Sequence, residues 1–585
     1  CYPPSSCVPR GVMRHAGRVK FCAIKRKGMK IFEESIDELA TIVEEGARAD
    51  FRNTKRFVEP AQGTLRRAQS RRHHIIFGRR GSGKSSLLFK SAEELTDKGF
   101  PIAFIDLEPF KGHQYPDIII SVLIATLAKV KLWLHDFDKN ERPKRKWYEF
   151  WKKKTTDKTE KIALLNDEIQ RNLNELIKQL HLSDNASLTN KINDYTKKAE
   201  SDRLKGTSST LDEVTPLSFS IEGEVANSRE DFSSKEAQEE FRRSKKDYLL
   251  RKIIDFQKVF KELYSITERD CFLFLDDLYH ILRKDQASLI DYFHRISKGN
   301  KVWLKIGTIR TRTDWYQHTP QPMGLKLGDD ADEINLDLTL EKFSLSKDFL
   351  RKILRVYIEE VKAPKLEEFV ADTGIDRLVL SSGGVTRDFL GLFRKSITET
   401  RERLSKTKEH HRGEKIGAED VNLASGDYGQ LKKEEFQRDT LEDRKELEES
   451  FDKIKIFCLN KIKRNIFLVD IDLSGSDFEL LEELIDLRLI HQVKSRVTVG
   501  DRPGKVFKAF LLDVSQYTGE RARRDVEMVE FWKDSNKGKL RLASLIYDPN
   551  TSLEELKKEV ESKRSKGIES KPHKKPPKDG QGKLF

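Results

Sequence analysis

The chain has 585 residues, more than one hydrophobic core organises, so two to four domains are expected. Hydrophobic residues make up 37% and charged residues 36%, a balance that fits a soluble, helix-rich protein and excludes a membrane bundle. The net charge of +14 gathers at the ends: seven cations and no acid in 1–28, ten cations and four acids in 556–585. The nearly neutral body between them offers no bulk electrostatic case for a nucleic-acid-binding core.

Residues 1–28 begin with Cys1 and show neither an amphipathic period nor the apolar core of a secretory signal. They read as a doubtful leader or fragment edge, with the working protein starting near Met29. There Ile31, Phe32, Ile36, Leu39, Ile42 and Val43 recur at helical spacing, opening a helical segment over 29–70. Five apolar runs then read as buried strands: His73–Phe77, Phe100–Leu107, Cys271–Leu275, Val302–Ile309 and Glu333–Leu340. Helical patterns separate them at Ser85–Lys98, Pro116–Leu134, Lys245–Tyr264 and Asp285–Lys298. This alternation predicts an α/β core over 71–345 with a five-stranded parallel sheet. The longest apolar run, Ile118–Ala128, is too short to span a bilayer, which takes about 20 residues.

An insertion over 135–244 interrupts the core. It opens with a basic-aromatic stretch, Arg142 to Lys154, which either stacks nucleic-acid bases or is a solvated turn with Trp147 and Trp151 packed on the following helix. That helix carries Leu165, Ile169, Leu173, Leu176 and Leu180, one apolar seam compatible with a short coiled-coil arm. Residues 201–240 read as mobile. Beyond the core, Ser346–Glu360 and Ser381–Glu402 are amphipathic, implying a helical lid over 346–405. A charged stretch over 406–445 follows, a linker or a long solvated helix, then a winged-helix order of elements within 446–550, and a disordered basic tail over 556–585. Cys1, Cys7, Cys22, Cys271 and Cys458 show no metal-ligand spacing, so reduced thiols in a cytosolic protein are expected.

The sharpest signal is Gly78-Arg79-Arg80-Gly81-Ser82-Gly83-Lys84-Ser85, with Ser86 next, set between a strand and a helix. Glycines let such a loop curl its N–H groups inward onto phosphate oxygens, and the helix adds the positive end of its dipole. Lys84 reaches the β- and γ-phosphates of ATP, and the Ser85 hydroxyl is a ligand for Mg²⁺. The apolar strand ending in Asp276-Asp277 supplies the second half. Asp276 would hold Mg²⁺ through water, and Asp277 would polarise the attacking water.

With these two motifs the chain resembles a P-loop ATPase of the AAA+/STAND branch, similar in layout to initiator-type, origin-recognition AAA+ proteins with a C-terminal winged helix. The resemblance spans about 50–400 and, more weakly, 446–517. It implies that Val302–Ile309 lies between the loop strand and the Asp strand. It also implies that Gly307-Thr308-Ile309-Arg310 occupies the sensor-1 position and Ser382–Arg387 the sensor-2 position, with Arg310 and Arg387 as phosphate-contacting cations. The proline usual near that second arginine is absent. Arg310 and Arg312 as plain surface cations is the competing reading.

Three readings of the C-terminal module stay open: DNA contact led by Arg496, Arg502, Lys505 and Lys508, a protein-interaction module, or a structural cap. The helix Asp477–Arg488 holds five acids and one cation, the wrong sign for a groove. The ending Gln581-Gly-Lys-Leu-Phe585 is similar to the Gln-x-x-Leu-Phe peptide that binds bacterial sliding clamps. The expected protein is therefore an ATP-binding and ATP-hydrolysing switch in DNA maintenance or defence against foreign DNA. It exchanges ATP and ADP, with a protein partner or self-assembly and no membrane. An initiator-like DNA-binding ATPase and a non-hydrolysing nucleotide-bound scaffold are the alternatives.

Overall fold

The computed structural model describes residues 29–141, 157–181, 235–406, 413–439, 444–472, 475–518 and 526–569. The basic-aromatic stretch 142–154, residues 201–234 and the Gln581–Phe585 ending lie outside them, as do residues 1–28. The chain forms two compact units. A central unit comprises Ala49–Arg79 and Gly83–Leu336, and a terminal unit comprises Cys1–Arg48, Arg80–Ser82 and Asp337–Phe585. The first described helix, α1 (Glu34–Glu45), belongs to the terminal unit.

In the central unit the apolar runs become β1 (His73–Phe77), β2 (Ile102–Asp106), β3 (Cys271–Asp276) and β4 (Val302–Thr308). A short hairpin of β5 (Tyr316–Gln317) and β6 (Met323–Gly324) leads to β7 (Ala331–Asn335). One parallel sheet results, in the order β2-β3-β4-β1-β7. β4 thus lies between the loop strand and the Asp strand, as expected, and the chain has the α/β P-loop NTPase fold. The last strand stops at Asn335 rather than at Leu340. The Leu336 N–H still bonds the Phe77 carbonyl at 2.9 Å, and the chain then runs on to a short 3₁₀ turn at Leu340–Lys342.

Alternation along the strands feeds two cores. Ile76, Phe272 and Phe274 face α2 (Lys84–Asp97) through Leu87, Leu88, Ala92 and Leu95. Ile75, Phe77, Leu273, Leu275, Leu304 and Ile306 face the other side. That second layer is built by α3 (Asp117–Glu141), α4 (Asp157–His181), α5 (Lys235–Thr267) and α6 (Arg283–Ser297). With both faces covered, β1 and β3 are buried at every position, which is why they read as continuous apolar runs.

Here the structure corrects two expectations. The seam Leu165, Ile169, Leu173, Leu176 and Leu180 is no projecting arm. All five side chains are buried in the main core, where α4 packs on α3 and α5. Each such burial stabilises by about 1.5–3 kcal/mol. The apolar run at Ile118 also extends further than its sequence signal. Asp117–Lys139 is long and apolar enough by composition to cross a membrane, yet most of it is buried against β2 and α4.

The terminal unit continues with α7 (Phe343–Glu360), α8 (Asp372–Ser382) and α9 (Thr386–Ser405). The single helix expected over Ser381–Glu402 is broken at Gly383 and Gly384, whose φ values are +59° and +81°. Both need glycine twice over. A Cβ at Gly383 would lie 2.1 Å from His491 Nδ1, and one at Gly384 would lie 2.5 Å from the Leu338 carbonyl oxygen. The charged stretch expected as a linker or a long solvated helix holds a helix, α10 (Ala418–Asp439), but one that packs on α8 and α9 and buries Asp420, Val421, Ala424 and Lys432.

After α11 (Arg444–Ile456) come β8 (Ile466–Asp470), α12 (Gly475–Asp486), β9 (Ile490–Thr498) and β10 (Val506–Leu512). The three strands form an antiparallel sheet in the order β8-β10-β9. The tail is ordered further than expected. α13 (Leu553–Glu569) buries Leu556 and Val560 and packs on α11.

A buried ionic cluster joins α9, α10 and this sheet. Lys432 Nζ donates to Asp513 Oδ2 at 2.7 Å, and His491 Nε2 lies 2.8 Å from the same oxygen. Arg488 Nη1 donates to Asp388, to which the Tyr428 hydroxyl also donates at 3.1 Å. Lys432 stands 3.6 Å from Asp388 as well.

Candidate nucleotide site

β1 ends at Phe77, and Gly78–Gly83 carries the chain to α2, which starts at Lys84. Gly83 sits at φ +101° as the N-cap of α2. Nothing lies within 4 Å of where its Cβ would be, so the backbone conformation alone calls for glycine. A glycine cap brings no side chain to the first-turn N–H groups, which with the helix dipole are left for an anion. The Ser82 hydroxyl is buried and makes no hydrogen bond, as expected of a loop shaped around a polar ligand. Arg79 is buried, while Arg80 and Ser86 are half-buried.

Lys84 is buried and folds back on its own loop. Its Nζ donates to the carbonyls of Gly78 at 2.8 Å and Arg79 at 3.3 Å, and it lies 5.8 Å from the centre of the Tyr279 ring. Tyr279 follows Asp277 by two residues and was not singled out in the sequence, because nothing local marks an aromatic near a lysine 195 positions away in the chain.

Asp276 ends β3 and is buried. Its Oδ1 accepts from the Asp277 N–H at 2.9 Å, and the nearby Ser85 hydroxyl favours its charged form. Burial, and then the Asp277 carboxylate, push Asp276 up to about 8 against the pull of Ser85 and Lys84. Asp106, its register partner at the end of β2, pushes the same way. The side chain lies over Gly307 of β4, where a Cβ would stand 2.5 Å from Asp276 Oδ1 and 2.8 Å from Leu88 Cδ1. Asp277 holds a left-handed backbone, φ +55° and ψ +44°, uncommon outside glycine and tolerated best by Asn and Asp.

The structure thus brings Lys84, Ser85, Asp276 and Asp277 to one end of the sheet. Thr308 lies in register with Phe77, and its carbonyl accepts the Gly78 N–H at 3.3 Å. Arg310 is held elsewhere. It is ion-paired with Glu333, and its guanidinium stacks 4.0 Å from the Phe77 ring centre. Arg387 belongs to the terminal unit and opens α9. Its N–H donates to the Gly81 carbonyl and its Nε to the Ala47 carbonyl, both at 3.2 Å. Among the described residues no group of three or more His, Cys, Asp or Glu is placed to hold a metal ion. The hydroxyl–carboxylate pair of Ser85 and Asp276 is a hard-oxygen donor set suited to Mg²⁺ beside phosphate.

No protein-family model matches the chain, and no curated protein matches it in sequence. Among solved structures it is similar to the Cdc6p protein of Pyrobaculum aerophilum at 11% identity and a TM-score of 0.28, over 84% of this chain and 89% of that one. A Walker-type ATPase of Pyrococcus abyssi matches at 12% identity and 0.32, over 78% and 94%. The Aeropyrum pernix Orc1 protein, solved in complex with DNA, matches at 13% identity and 0.31, over 79% and 91%. Scores this low bear on neither family nor function; the P-loop NTPase fold rests on the strand order and the loop between β1 and α2.

Proposed function

We propose that the chain is an AAA+/STAND-type ATPase that binds and hydrolyses ATP as a nucleotide-dependent switch. The observation that carries the reading is the meeting of two motifs at one end of the sheet: the glycine loop between β1 and α2, with Lys84 folded onto its carbonyls, and the buried Asp276 that ends β3 and lies over Gly307 beside Leu88 of α2. Gly78, Arg79, Arg80, Gly81, Ser82, Gly83 and Ser86 form the cradle, and Lys84 exchanges the carbonyls of Gly78 and Arg79 for phosphate oxygens. Ser85, and Asp276 through water, would hold Mg²⁺, which would supply charge neutralisation for the phosphates. Asp277 orients the attacking water, and Arg310 and Arg387 are the cations that answer the γ-phosphate. Arg310 must first leave Glu333 to do so.

Fluorescent-nucleotide titration and phosphate release test this reading. Lys84→Ala is expected to abolish nucleotide binding or turnover, whereas Asp277→Asn keeps binding and stops hydrolysis. Wild-type hydrolysis by Lys84→Ala overturns the assignment.

A second reading, an initiator-like ATPase gripping duplex DNA through a winged helix, draws support from exposed Arg496, Arg502 and Lys505 on and beside the β9–β10 turn, whereas Lys508 is half-buried over the Phe478 ring. Against it, α12 exposes Glu479 and Glu482, and the one cation of that stretch, Arg488, is buried against Asp388. A protein partner or self-assembly therefore suits this module better than a DNA groove does. Duplex DNA that stimulates turnover with steep salt dependence would reverse that ranking.

A further inference from the structure

Gln286 sits in the first turn of α6 with 1% of its surface exposed. Its Nε2 donates to the Ile281 carbonyl at 2.9 Å and to the Arg312 carbonyl at 3.2 Å. Its Oε1 accepts from the Asp314 N–H at 2.8 Å. Flipping the amide would set its oxygen against two carbonyls and its NH₂ against an N–H, so the partners themselves fix its orientation. A buried glutamine that merely satisfied its own helix end would bond α6. This one bonds three main-chain groups on two loops instead.

Those two loops are the ones that matter chemically. Ile281 ends the short 3₁₀ turn Leu278–His280, which begins straight after Asp276 and Asp277. Arg312 and Asp314 belong to the loop that follows β4. Inside that loop Thr313 Oγ1 donates to the Ile309 carbonyl and shares a short hydrogen bond with Thr308 Oγ1. Thr308 in turn holds the Gly78 N–H at the start of the phosphate loop. A continuous chain of bonds therefore runs from the carboxylate turn through one amide to the loop after β4, and from there to the loop strand.

We propose that Gln286 is a positioning residue of the ATPase site, fixing the loop 309–314 against the Asp276–Asp277 turn so that both respond to nucleotide as one piece. It touches no phosphate. The inference rests on the ATPase reading above and adds a residue to it.

The test is Gln286→Met, which keeps length and volume and removes all three bonds. Turnover is expected to fall about 10–100-fold, the cost of a small misplacement, with nucleotide Kd within about twofold of wild type. A merely structural role would lower thermal stability and leave kcat alone, and that result overturns the proposal. Amide hydrogen exchange gives a second readout that needs no turnover. In the wild type, peptides over 277–282 and 309–314 should gain protection together when a non-hydrolysable ATP analogue is added, and in Gln286→Met they should respond separately. Separate responses already in the wild type also overturn it. If the wild type shows neither turnover nor Lys84-dependent nucleotide binding, the ATPase reading fails and this proposal goes with it. Normal wild-type turnover with an unaffected Gln286→Met removes Gln286 alone.

Discussion

Two carboxylates, each buried within its own unit, meet opposite fates. Asp276 has a second carboxylate beside it and is pushed up to about 8. Burial alone would raise Asp513 as well, but Lys432 and His491 more than reverse it and hold that carboxyl below the ordinary range. Asp513 is finished in the folded chain: its two cationic or donating partners are in place, and Ser515 N–H donates to its other oxygen at 3.1 Å. Asp276 is unfinished, because the Ser85 hydroxyl and the nearby Lys84 do not offset its desolvation. A buried acid whose charge is fully matched is a fastener. One left short of positive charge is held towards its neutral form, a perturbation of the kind that clusters at functional sites.

The comparison breaks most visibly at the fastener. Asp513→Ala strands Lys432 and His491 and should cost about 3–5 kcal/mol in chemical unfolding at neutral pH. Because the folded-state carboxyl titrates below its unfolded value, that stabilisation is present above about pH 4 and fades only as pH falls further. A loss below about 1 kcal/mol would mean that the cluster is not holding the unit together.

Gly307→Ala is next, with about 1–3 kcal/mol lost to overpacking against Asp276 and Leu88, accompanied by weaker Mg²⁺-dependent nucleotide binding. Combined with Asp276→Asn the effect on binding should be non-additive, since both changes act on one carboxylate.

The smallest effect carries the opposite sign. Asp276→Asn should raise the melting temperature of the nucleotide-free protein by about 2–6 °C at pH 8. A carboxyl titrating above its unfolded value contributes fully below about pH 4 and loses that contribution as pH rises through about 8. The gain in the Asn variant should therefore be absent near pH 4 and grow towards pH 8. A variant that melts lower than wild type at pH 8 would remove the contrast between the two acids.

What the sequence disclosed followed from how local each signal was. The phosphate loop and the CFLFLDD strand are contiguous, so their placement was readable, whereas the middle position of β4 came only from the resemblance to initiator-type AAA+ proteins. Gly307 lay inside a quoted motif, but its role as the floor under Asp276 depends on a neighbouring strand. Gln286 bonds loops on either side of it in space and carries no local mark at all. Charge misled in α10, where Lys432 reads as solvated until Asp513, more than eighty residues away, neutralises it. The α4 seam misled differently: an apolar stripe states that a helix is covered and leaves open by what. The break at Gly383-Gly384 was legible as two adjacent glycines, and helical periodicity on both sides hid it.

The strand order also sets a timetable. His74 of β1 pairs across the sheet with Lys305, 231 residues later. At synthesis rates of about 5–20 residues per second, the β1 strand waits roughly 10–50 s for its first neighbour to leave the ribosome. During that interval His-His-Ile-Ile-Phe is an unpaired apolar edge of the kind that aggregates. Nascent chains stalled before residue 302 should therefore be chaperone clients, whereas those released after residue 335 have every strand of the sheet in hand.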